Sequence, residues 1–122
     1  MEETIRLKIY EIIGSEFCVA ADDGQKVYDQ ITLALKHDLN VQLSFKNVKR
    51  LTSAFLNVAV GQLYGEFSED FLSSHLSASD IEADDRELLK RVIETAKVYF
   101  KDPVRFNRVR NQVLGEKENV GE

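Results

Sequence analysis

Val41-Gln42-Leu43-Ser44-Phe45, followed by Leu51-Thr52-Ser53-Ala54-Phe55-Leu56-Asn57, is the stretch that decides the fold. In its first half apolar and polar residues alternate, the period of a strand with one buried face. Lys46 to Arg50 make a polar connection, interrupted only by Val48. The second half opens a helix expected to run from about Ser53 to Tyr64 and to stop at Gly65. Phe55, Leu56, Val58, Ala59, Val60 and Leu63 leave this helix apolar nearly all round. Such a helix either lies centrally in a core or carries an interface.

Upstream, Ile5, Leu7 and Ile9 alternate with Arg6, Lys8 and Tyr10 and predict a half-buried strand. After Gly14-Ser15, Phe17 to Ala20 predict a second, and the tight connection suggests an antiparallel hairpin. Asp22-Asp23-Gly24 marks a helix start with an aspartate as N-cap. Val27, Ile31, Ala34 and Leu35 give that helix its apolar face.

Downstream, Ser68 is placed to cap a short turn through Phe71 and Leu72, and His75 to Asp80 suggest a last, short strand. Asp84 and Glu87 have the spacing of a capping box. Leu88, Leu89, Val92, Ile93, Ala96, Tyr99 and Phe100 then recur at helical intervals until Asp102-Pro103. A further short helix carries Phe106, Val109 and Val113, and residues 115–122 are expected to be disordered. The expectation is one α/β domain over residues 1–114. Its order is β-β-α-β-α-(β)-α with a short C-terminal helix, a mixed β-sheet of about four strands covered by helices.

Composition narrows the function. With 122 residues the chain suffices for one hydrophobic core. A formal net charge of −5 disfavours nucleic acid as a partner, because that binding relies on basic patches displacing counterions. Cys18 is the only cysteine, so no internal disulfide forms, and its apolar neighbours give it the reading of a small buried hydrophobe. Met-Glu-Glu-Thr lacks the basic and apolar regions of a signal peptide, and no apolar run approaches the ~20 residues of a membrane span. The expected location is cytoplasmic, without membrane association.

The central stretch, an apolar strand, a short loop and a helix opening on Leu51-Thr52-Ser53-Ala54-Phe55-Leu56-Asn57, resembles the STAS-like family of uncharacterised bacterial proteins. Val60-Gly61-Gln62-Leu63-Tyr64 and Leu88-Leu89-Lys90-Arg91-Val92-Ile93 extend the resemblance, which covers roughly residues 4–102 by element order. It implies a STAS-like α/β fold. The wider superfamily includes anti-sigma-factor antagonists, in which a serine at the start of the corresponding helix is phosphorylated by an ATPase-type kinase. Ser53 falls at the matching position. Thr52 stands where the antagonists carry an aspartate, and Ala54-Phe55 follow in place of a small residue and a glycine.

The residues themselves offer two readings of Ser53, with Thr52 beside it: a helix cap, or a phosphosite. Lys49 and Arg50 just before the helix, with Phe55 and Asn57 within it, are the candidate interface. His37 and His75 have no second ligand at metal spacing, and no phosphate loop or nucleophile elbow is present, so neither a metal nor a cofactor is expected. The resulting expectation is a non-enzymatic regulatory module that binds another protein, the resemblance implying a histidine-kinase-like ATPase. A homodimer is compatible with it. The alternative is a small-molecule or nucleotide-binding sensor using the crevice near the same helix start.

Overall fold

The computed structural model describes residues 3–101. In chain order the elements are β1 (Thr4–Lys8), α1 (Ile9–Ile13), β2 (Phe17–Cys18), α2 (Ala21–Lys36), β3 (Asn40–Ser44) and β4 (Arg50–Leu51). Then follow α3 (Ser53–Leu56), a π-helical segment (Asn57–Gly61), α4 (Leu63–Glu66), α5 (Glu69–His75), β5 (Leu76–Ser79) and α6 (Ala83–Lys101). The expected α/β architecture is present. The readings placed on the last helix and the C-terminal tail lie outside the described residues.

The sheet corrects one expectation. β1 and β2 form no hairpin, because residues 9–13 coil into α1 between them. Gly14 closes that helix in the left-handed region at φ 70°, its N–H donating to the Tyr10 carbonyl. β1 pairs with β3 instead, and β3 with β5, both parallel, in the order β1-β3-β5. β2 and β4 make a separate parallel pair, Phe17 opposite Arg50 and Cys18 opposite Leu51. In place of one mixed sheet of about four strands there are two parallel sheets, of three and two strands.

Register turns the sequence alternation into two chemical faces. Leu7, Leu43 and Ala78 share one row across the larger sheet, and Ile5, Val41 and Leu76 another. The intervening rows are Arg6, Gln42, Ser77 and Lys8, Ser44, Ser79. The apolar rows face the helices, and Val41 and Leu43 are buried. On the polar side Ser44 is fully buried, and its hydroxyl donates to the Asp80 carboxylate at 3.0 Å while accepting from the Lys46 N–H. Arg6 pairs with the same carboxylate. This clamp joins the strand ends, and the Ser44 hydroxyl, with Arg6 behind it, holds Asp80 below the usual carboxylate range.

Two elements carry the core. Val27, Ile31, Ala34 and Leu35 of α2 are all buried, as the apolar periodicity requires. The helix begins at Ala21 rather than on an aspartate cap, and Asp22 and Asp23 fall in its first turn, at the positive end of its dipole. The segment from α3 to α4 buries Phe55, Leu56, Ala59, Val60, Gly61 and Leu63, packing between α2 and α6. It is the central helix, and Phe55, offered above as an interface residue, belongs wholly to the core.

Its apolar circumference has a physical cause. At the π-helical segment the Gln62 N–H reaches the Asn57 carbonyl, five residues back. The extra residue per turn rotates the buried face, so residues on either side of the segment face the core from different helical angles. Gly65 lies inside α4 and does not stop it. The helix ends where Phe67 turns extended, one residue before Ser68 caps α5 by accepting from the Phe71 N–H. α6 begins at Ala83, with the Arg86 N–H on the Glu82 carbonyl, so Asp84 lies in the first turn instead of at a capping-box position.

Cys18 is fully buried, and burial, with Asp23 and Asp85 adding to it, pushes its thiol up to about 11. The thiol is therefore an inert packing group at neutral pH.

Candidate functional site

Lys49, Arg50, Thr52, Ser53 and Asn57 come together where the two-stranded sheet runs into α3. The Lys49 N–H donates to the Glu16 carbonyl at 2.8 Å, and Arg50 lies opposite Phe17 in the β2–β4 ladder. Both basic side chains are thus held on a short, exposed edge. Beside them Phe17 and Val19 expose 50% and 38% of their surfaces.

Of the two hydroxyl residues, Thr52 is the cap. Its backbone is extended, its Oγ1 accepts from the Phe55 N–H at 3.2 Å, and the same hydroxyl donates to the Val19 carbonyl at 2.9 Å. The Thr52 N–H also reaches the Cys18 carbonyl. One side chain therefore both starts α3 and pins it to the strand of the smaller sheet. Ser53 is the first helical residue, exposed, and its hydroxyl bonds to no described residue. The reading of Ser53 as the cap is thereby corrected, and sequence could not separate two adjacent residues that both cap well.

That assignment has a measurable outcome. Thr52→Ala should lower stability by ~1 kcal/mol or somewhat more, since a cap and a tie to Val19 are both lost. Ser53→Ala should stay within about 0.5 kcal/mol of wild type, as surface substitutions do. Chemical denaturation of the two variants side by side checks the order.

From Ser53 a surface groove runs along the line where α6 meets the central helix. One stretch of about 380 Å³ is lined by Ser53, Asn57, Leu88, Arg91, Val92 and Thr95. The next, about 420 Å³, shares Asn57 and Thr95 and continues to Tyr99 and Phe100. The α6 wall was not legible in sequence. Arg91 and Thr95 look like ordinary solvated positions until the packing of Val92 and Ala96 fixes which side of α6 turns toward the central helix. Among the described residues no group of three or more His, Cys, Asp or Glu could hold a metal ion, and no helix is long and apolar enough to cross a membrane.

The family model described as the STAS-like domain of unknown function (DUF4325) matches residues 23–86. The chain belongs to that family. Neither a curated protein nor a solved structure matches it. The matched segment of this STAS-like domain begins within α2, holds all of β3 through β5, and ends in the first turn of α6. It contains Lys49, Arg50, Thr52, Ser53 and Asn57. The α6 wall of the groove, from Leu88 onward, lies beyond it.

Proposed function

We propose that this STAS-like domain is a non-enzymatic regulatory module that docks another protein on the surface around the start of α3, with Ser53 as its switch. The observation that carries this is the division of labour between neighbours. Thr52 does the capping, so the Ser53 hydroxyl is exposed and uncommitted, and a group attached to it takes nothing from the fold. Exposed Phe17 and Val19 offer apolar contact area, and Lys49 and Arg50 offer charge at the rim. Resemblance to the anti-sigma-factor antagonists supplies the partner class, a histidine-kinase-like ATPase able to phosphorylate Ser53.

A phosphate adds roughly −1.5 to −2 charges at neutral pH. Beside Lys49 and Arg50 that charge would largely cancel the positive character of the docking surface. A partner recovered from native lysate with the wild-type chain should bind Ser53→Ala equally well. Its affinity for Ser53→Asp should differ by ~10-fold, the effect of one rim charge worth ~1.4 kcal/mol. Equal affinity of the aspartate variant, measured by calorimetry with both proteins folded, would remove the switch.

A further inference from the structure

We propose that the groove holding Ser53, Asn57, Arg91 and Thr95 is a receiving site for a phosphoryl group, with Arg91 as its anchor. Ser53 and Asn57 lie four residues apart at the start of the central helix, and Arg91 and Thr95 four apart on α6. Two helices thus each present a pair of polar side chains to one cavity of about 380 Å³. Its other lining residues, Leu88 and Val92, are apolar.

Charge selects the ligand class. Arg91 is the single charged residue of the lining, and no carboxylate lines the cavity. Arg91, like Lys49 and Arg50, forms no ion pair with a described residue, so its guanidinium is uncommitted. The other polar groups facing it are two hydroxyls and an amide, each able to donate to an oxyanion. A guanidinium fork grips two oxygens of a phosphoryl group side by side, and the neutral donors remain for the third. A cation finds no counter-charge in this cavity.

The phosphoryl group has two possible carriers. One is Ser53 itself, which rests on the switch reading above. The Ser53 Oγ bonds to the γ-phosphorus of a nucleoside triphosphate as the bond to the departing diphosphate breaks, and the hydroxyl proton leaves to solvent. The phosphate then bridges from the central helix to Arg91 on α6. The other carrier is a phosphomonoester from solution, which enters the same groove with Ser53 unmodified.

The test uses the full chain in two arms. In the first, phosphoserine is installed at position 53 during translation, and the change in Tm on modification is compared in wild type and Arg91→Gln. The expected gain is larger by ~3 °C or more when Arg91 is present, as a new charge-assisted bond in a domain of this size requires. In the second, the unmodified protein is titrated with free phosphoserine while the Asn57 side-chain amide and Thr95 backbone amide resonances are followed by NMR. Saturable shifts that vanish in Arg91→Gln are expected if the carrier is a free phosphomonoester. A positive result in either arm supports the groove and names the carrier. Equal Tm changes in the first arm together with no saturable, Arg91-dependent shift in the second overturn it. Neither arm depends on a partner protein, so a Ser53→Asp variant that binds its partner normally removes the switch and leaves this result standing.

Discussion

Replacing Phe55 by alanine should lower the free energy of unfolding by about 3–5 kcal/mol, the range for a large aromatic removed from a packed interior. The ring is fully buried in the first turn of the central helix, and the segment it belongs to packs on α2, α6 and the π-helical turn that follows. No exposed edge lets neighbours collapse into the vacated space, so the cavity term adds to the lost transfer energy. Against a typical total of about 5–15 kcal/mol, that loss removes a large share of the domain's stability. Urea denaturation measures it directly. A loss below about 1 kcal/mol would mean that the ring is not the core residue its burial implies.

The second large effect runs against local propensity. Gly24 sits in the first turns of α2, where alanine ordinarily gains about 1 kcal/mol over glycine. Here a Cβ would stand 2.6 Å from the Phe55 carbonyl oxygen and 3.1 Å from the Val58 Cβ. The first obstacle is backbone and cannot swing aside, so α2 and the central helix must separate. Gly24→Ala should therefore destabilise by about 1–3 kcal/mol, the usual cost of overpacking. Gly61→Ala is the control, because its added Cβ meets nothing nearer than 3.7 Å. That variant should keep wild-type stability within about 0.5 kcal/mol or exceed it. If both variants melt alike, the close approach of α2 to α3 is wrong.

These two glycines show where sequence reasoning reached and where it stopped. The faces of α2 and β3 were legible because helix and strand periods are local, and Val27, Ile31, Val41 and Leu43 are buried as their spacing requires. Strand partners were not legible. Two short strands with a glycine between them read as a hairpin, and only the long-range pairing of β1 with β3 shows that the intervening residues coil into α1. Gly24 looked like part of a helix-start signal, while its reason is a helix crossing that no local pattern encodes. At the site, Ser53 and Asn57 were legible from the helix start, but the groove is completed by Arg91 and Thr95, which the fold alone brings opposite them.

The strand order also dictates a sequence of events in time. Thr4 lies opposite Asn40 and Val41 opposite Leu76, so each pairing in the larger sheet joins positions about 35 residues apart. Both pairings share β3, and neither outer strand has a place until β3 is in position. The long helices α2 and α6 need only nearby contacts and form on the microsecond scale, whereas each parallel ladder waits for a crossover to close. Topology thus predicts an interval during folding in which helices exist but Val41 and Leu43 still face water. During that interval β3, unpaired along both edges, is the segment most open to capture by another unfinished copy.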